Sequence, residues 1–284
     1  MWERRSRILF LLSLCTSMCL LAQMGLYVVQ GITGQPVGYN FFLHCTALAE
    51  SLGLAWVVYV LDGVVVFTML LLFWGAAKQI YFSLRAKGRL SRLHDAELTA
   101  LLTERYGLGP GELQVIDHPD AIALTMGLLR PKIVLSTGLL QMLEPGELEA
   151  IVYHEQFHLQ HRDPLKTMLM TGCADVLWYI PILKWNSKQY SAAREVLADA
   201  AAIRKTGEPV HLGSALLKLL KRKQVHSYAF AYASFAETSI NYRIQQLIDP
   251  QAVQALSFPL KRMMISLKVA AVLSAMFLTE FLYL

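Results

Sequence analysis

The sequence predicts an α-helical integral membrane protein that carries a cytoplasmic α+β domain, and three observations lead there. Of its 284 residues 55% are hydrophobic and only 17% charged, a balance too apolar for an ordinary soluble domain of this length. The apolar residues gather in long, charge-poor runs flanked on one side by Lys and Arg. Between the second and third runs the patterning turns to short helices and strands, around the pentapeptide His154-Glu-Gln-Phe-His158.

Three membrane spans are expected. Ile8 to Val29 contains no charge and, at about 1.5 Å per residue, is long enough to cross a hydrocarbon core of about 30 Å. Leu54 to Ala77 is interrupted only by Asp62, and Met263 to Leu284 carries Lys268 and Glu280 near its ends. A cleaved signal peptide is the competing reading of the first run, since Arg4, Arg5 and Arg7 precede it; its apolar stretch exceeds the usual length of such a segment. Asp62 is costly inside a span unless protonated, paired across the bundle or functional, and all three readings stand.

Cytoplasmic flanks collect Lys and Arg. Arg4, Arg5 and Arg7 precede the first run; Lys78, Arg85, Lys87, Arg89 and Arg92 follow the second; Lys261 and Arg262 precede the third. Gln30 to Gly53 holds no Lys or Arg. The expected topology has the N-terminus inside, a hairpin over residues 1–84, a cytoplasmic domain over 85–259, and a span over 260–284 ending outside. The net charge of +5 follows from this arrangement in a lipid bilayer, without direct nucleic-acid binding. Cys15, Cys19, Cys45 and Cys173 have no metal or redox spacing and read as apolar fillers.

In the cytoplasmic part, Asp95 to Tyr106 reads as a short amphipathic helix capped by Asp95 and stopped by Gly107. Leu113 to Ile116 reads as a strand, and Ile122 to Met126 with Lys132 to Leu135 as a hairpin around Gly127 to Pro131. Pro145 suits a first helical turn, with Glu147 and Glu149 near the positive helix end. Leu148, Ile151, Val152 and Leu159 then mark a buried stripe, with His154 and His158 beside it. Leu212 to Arg222 is a further amphipathic helix. The apolar segment 165–183 is read as a core, interfacial or re-entrant helix, because a single crossing would separate Glu195 from His154 and His158 across the membrane.

Two imidazoles four residues apart on a helix point the same way and can grip one zinc ion. Glu155 between them can act as the general base toward water. A zinc enzyme needs a third protein ligand and an open position. Glu195 is the candidate, and Asp199, four residues on, can accept a hydrogen bond from a ligating imidazole. The competing reading of these two carboxylates is a solvated acidic face paired with Arg194 and Arg204. Glu147, Glu149, Arg162 and Asp163 crowd the ends of the pentapeptide helix, which excludes an intramembrane site. His226, Tyr228 and Tyr232 are candidates for oxyanion or substrate contacts.

Met126 to Ser136 (Met-Gly-Leu-Leu-Arg-Pro-Lys-Ile-Val-Leu-Ser), Glu147 to His158 and Arg162-Asp163 resemble the membrane metallopeptidases of the BlaR/MecR antibiotic sensor-transducers. They are similar, more distantly, to the HtpX and CAAX prenyl proteases. Arg194 to Asp199 resembles the downstream E-x-x-x-D segment, and Tyr242-Arg243-Ile244 with Leu247 a late R-I-x-x-L motif. The resemblance implies a gluzincin-type zinc peptidase domain with Zn2+ on His154, His158 and Glu195, Glu155 as catalytic base, and Arg243 in the cleft wall. It also implies that one strand of the hairpin offers an edge for an extended polypeptide substrate. The sensor-transducers carry a penicillin-binding domain after their last span, and none is expected here; they also begin with more transmembrane sequence.

The implied role is regulated proteolysis, of the chain itself or of a cytoplasmic transcriptional repressor of the BlaI/MecI kind. Membrane protein quality control of the HtpX type is the alternative. A non-catalytic membrane sensor or scaffold with a structural zinc is the reading from another class.

Overall fold

The computed structural model describes residues 2–35, 41–51, 53, 55–225, 243 and 259–269. They divide into two units. One holds residues 2–6, Phe82–Met168, 190–225 and 243; the other holds 7–35, 41–51, 53, 55–81, Leu169–Gln189 and 259–269. The chain is mostly helical.

The second unit takes most of the apolar runs. Helix α1 spans Trp2–Thr33, α2 Phe41–Ser51 and α3 Ala55–Arg92. Both α1 and α3 are long and apolar enough to cross a membrane. Only 17% and 11% of their most apolar windows is buried inside the protein, so their Leu, Phe and Trp side chains face outward, unlike the core helix of a soluble domain. Met24, Phe42 and Val65 pack as one cluster; Ala174, Leu177 and Leu183 pack against Leu20 and Leu21 as another. Tyr27 donates its hydroxyl to Asp62 at 2.5 Å, Asn186 donates to Ser13 at 2.9 Å, and the Ile182 amide donates to Ser266 at 3.1 Å. The apolar stretch 165–183 is divided between two helices. Helix α7 covers Asp163–Val176 and α8 covers Pro181–Thr206, with Pro181 opening the second, where its missing N–H is tolerated. The third expected span falls largely outside the described residues; 260–269 are helical.

The first unit is built on a four-stranded sheet in the order β1-β2-β4-β3. Strand β1 is His94–Asp95, β2 Leu113–Ile116, β3 Ala123–Met126 and β4 Lys132–Ser136. Helix α4, Ala96–Arg105, follows β1 and is capped by Asp95, which accepts from the Leu98 amide at 3.0 Å. Strands β3 and β4 are antiparallel, with Thr125 opposite Ile133. Gly127 turns the hairpin at φ +104°, where a side chain would meet the Arg130 carbonyl; only glycine fits both demands. Strand β4 runs parallel to β2; β2 lies between β1 and β4, and among the described residues β3 stands at the edge of the sheet. Leu113 and Val115 of β2 and Ile133 and Leu135 of β4 are fully buried.

Helix α5, Thr137–Met142, leads to α6, Pro145–His161. Leu148, Ile151, Val152 and Leu159 of α6 enter the same core as the sheet residues and as Leu212, Ala215 and Leu216 of helix α9, Pro209–Val225. Glu147 anchors the α6 start: it accepts from the Glu144 amide at 2.9 Å, from Ser214 at 2.6 Å and from Lys218 at 2.7 Å. The result is one helix pressed along the sheet with its free face toward α8.

Candidate metal centre

Helix α6 presents His154 and His158 on one face, as spacing of four requires. Their Nε2 atoms lie 3.1 Å apart. Across from them, α8 brings Glu195, whose carboxylate oxygens stand 3.6 Å from His154 Nε2 and 3.5 Å from His158 Nε2. One ligating atom from each of the three lies within 4.8 Å of the others. A tetrahedral zinc with bonds near 2.0–2.1 Å would hold its ligand atoms roughly 3.3 Å apart, close to what is seen.

The imidazoles are fixed from behind. His154 Nδ1 is 2.9 Å from Asp199 and His158 Nδ1 is 2.8 Å from Asp163. Each carboxylate accepts a hydrogen bond from Nδ1–H, which turns the Nε2 atoms of both rings toward each other and toward Glu195. Two Nε2 atoms at this separation can share only a proton or a cation. The donor set, two nitrogens and a carboxylate with both imidazoles oriented, fits zinc.

The orienting carboxylates are themselves held. Arg194 Nε donates to Asp163 at 2.9 Å, and its guanidinium stacks 4.6 Å above the Phe157 ring, inside the pentapeptide. Arg243 donates to Asp199 through Nε at 2.8 Å and Nη2 at 2.6 Å, and reaches Glu195 through Nη1 at 3.0 Å. Arg243, expected in the cleft wall, is 7% exposed and engages both carboxylates. His154 and His158 keep only 5% and 11% of their side chains exposed against 29% for Glu195, so the centre opens to solvent on the Glu195 side.

Charges follow from these contacts. Burial and Arg243 oppose protonation of His154, but its bonds to Asp199 and Glu195 prevail and push its pKa up to about 9. Burial raises Asp199 and Glu195, yet Arg243 and the histidines outweigh it and hold both below the usual carboxylate range. Asp163 is lowered likewise: burial opposes its charge, and His158 and Arg194 outweigh it. The centre is thus an alternation of paired charges, which a low-dielectric site needs if it is to keep ions at all.

Glu155 is buried, and the Thr125 hydroxyl of β3 lies 2.8 Å from its Oε2 and 2.9 Å from its backbone carbonyl. Neither Thr125 nor Asp163 is marked as a partner by any spacing in the sequence. Asp163 follows a left-handed turn at Arg162, φ 51°, and no helical spacing links it to His158. Thr125 is separated from Glu155 by 30 positions and carries no local signal. His226, Tyr228 and Tyr232 lie outside the described residues.

Fold and site together give a mostly helical chain with two candidate membrane helices and a group of two histidines and a carboxylate that could hold a metal ion. Residues 44–247 match the BlaR1 peptidase M56 family, and the chain belongs to it. It is 25% identical over 155 residues to the regulatory protein BlaR1 of Bacillus licheniformis, covering 53% of this chain and 26% of that protein. It is 28% identical over 151 residues to a protease HtpX homolog of Acidiphilium cryptum (strain JF-5), covering 42% and 53%. It is 22% identical over 198 residues to the methicillin resistance mecR1 protein of Staphylococcus aureus (strain Mu50 / ATCC 700699), covering 63% and 33%. The chain therefore spans between about a quarter and a half of the length of these relatives.

Proposed function

We propose that this chain is a membrane-bound zinc metalloendopeptidase of gluzincin type, multi-pass, with its N-terminus and peptidase domain in the cytoplasm, acting in regulated proteolysis. The observation that carries the reading is the convergence of His154, His158 and Glu195 on one point with Glu155 beside them on the same helix. The Lys and Arg bias of the flanks supports the cytoplasmic placement.

His154, His158 and Glu195 would hold the zinc, with Asp199 and Asp163 fixing the imidazoles. A zinc ion there would polarise the scissile carbonyl and make water acidic enough to attack at neutral pH. Glu155 accepts the proton of the attacking water on its carboxylate and returns it to the leaving amine. Arg243 holds Asp199 and Glu195 in place and keeps both ionised. The open edge of β3 receives an extended polypeptide by strand addition.

The names of the BlaR1 and mecR1 relatives, a regulatory and a resistance protein, favour a dedicated substrate: a cytoplasmic transcriptional repressor, or the chain itself. The HtpX homolog is named a protease, and that likeness favours broader quality control. Purified full-length chain and its Glu155→Gln variant, both assayed for zinc and for cleavage of a diverse peptide library, test the activity. The wild type should cut and the variant should hold zinc without cutting; if both hold zinc and neither cuts, the centre is structural and the protease reading falls. Glu155→Gln used as a trap in cells separates the two roles: one dominant captured protein means signalling, many mean quality control.

A further inference from the structure

Strand β3 is placed so that its two kinds of atom do different work. The Ser136 amide donates to the Ile122 carbonyl at 3.0 Å, and the Ile133 amide points the other way, to Glu112 at 2.7 Å. Hydrogen-bonded and non-hydrogen-bonded pairs alternate along an antiparallel ladder. With Ile122 bonded to β4, the pairs Leu124–Val134 and Met126–Lys132 are bonded too. Ala123 and Thr125 therefore turn their N–H and C=O groups away from β4, and among the described residues no strand lies on that side. Thr125 is the residue whose backbone faces this open edge while its hydroxyl reaches Glu155 Oε2 at 2.8 Å and the Glu155 carbonyl at 2.9 Å.

We propose that Thr125 is the positioning residue for Glu155, and that through it the orientation of this carboxylate is tied to the strand edge where an extended peptide pairs. The proposal rests on the peptidase reading for its functional consequence. The Thr125 hydroxyl has one proton, for Oε2 or for the Glu155 carbonyl, so the two oxygens of the carboxylate are not equivalent and Oε2 is held toward β3. The hydroxyl also bridges the Glu155 side chain to the helix backbone, which restricts its rotamer, and the carboxylate is thereby presented in one orientation before substrate arrives. A peptide pairing with β3 braces the backbone of Thr125, and so braces the group that aims the base. Thr125 does not itself touch the reacting atoms.

Thr125→Val keeps the volume, the strand preference and the backbone edge, and removes only the hydroxyl; Thr125→Ser restores the hydroxyl. In crystal structures of the full-length protein, Glu155 should keep one rotamer in the wild type and in Thr125→Ser, and should rotate away or take several in Thr125→Val. With a peptide that the wild type cuts, Thr125→Val should lower kcat by about ten- to a hundred-fold, the size of one hydrogen bond to a charged group. KM should change less than about threefold, because the edge that binds peptide is intact, and Thr125→Ser should recover most of kcat. An unchanged Glu155 rotamer in Thr125→Val overturns the proposal, as does a Thr125→Ser enzyme as slow as Thr125→Val. If the wild type itself cuts nothing, the peptidase reading fails while the rotamer comparison still decides this one.

Discussion

At the scale of single residues, the centre depends on groups that stand behind the ligands. Asp163 and Asp199 accept hydrogen bonds from Nδ1 of the two histidines, and removing such a partner characteristically weakens metal binding about ten- to a hundred-fold. Asp163→Asn should show that loss in a chelator competition, with the far-ultraviolet spectrum unchanged. An unaltered affinity would mean that the Asp163 contact orients nothing. Legibility at this scale was uneven for a physical reason. His154 with His158, and Glu195 with Asp199, are pairs four apart on one helix, so the chain itself declares that each pair shares a face. Asp163, Arg194 and Thr125 meet their partners across a turn, between helices and from strand to helix, and no local period records such meetings.

At the scale of elements, helix α6 is the part that everything else positions. Glu147 fastens its first turn to α9 through Ser214 and Lys218. Burial opposes the Glu147 charge, but its bonds from Lys218, Ser214 and the Glu144 amide prevail and hold its pKa below the usual carboxylate range. A carboxylate lowered on folding contributes stability that is complete above its unfolded pKa and disappears as pH falls through its folded value. Glu147→Gln should therefore lower the apparent unfolding temperature by about 3–8 °C at pH 7, and the gap should close as pH falls below the usual carboxylate range and through the lowered folded value. A gap that persists in acid would assign the effect to packing rather than charge. The strand pattern was legible at Leu113 to Ile116 and around Gly127, because runs of apolar residues bounded by turn formers mark strands. Sheet order was not: apolar patterning says which residues pair, not with whom, and the parallel step from β2 to β4 that leaves β3 at the edge is a tertiary choice. The break of the 165–183 segment before Pro181 follows proline chemistry and was within reach of the sequence.

At the scale of the whole molecule, the proposed topology places the 30–53 segment outside and the metal centre inside. In a chain stripped of its native cysteines, a membrane-impermeant thiol reagent applied to intact cells should label Gly34→Cys and leave Ser91→Cys unlabelled until the cells are opened. The reverse pattern would invert the chain and move the centre away from cytoplasmic substrates. The two long apolar helices α1 and α3, with most of their apolar windows exposed, are candidates to cross a bilayer.

The proposed peptidase activity turns on His154, His158 and Glu195 being the ligands of one ion. X-ray absorption at the zinc edge of the purified full-length protein tests that most directly. The expected spectrum is one zinc per chain with two imidazole nitrogens at about 2.0–2.1 Å, oxygen at about 2.0–2.2 Å and no sulfur, and the metal should be lost in His158→Ala. A sulfur shell near 2.3 Å, or full zinc occupancy in His158→Ala, would contradict the account.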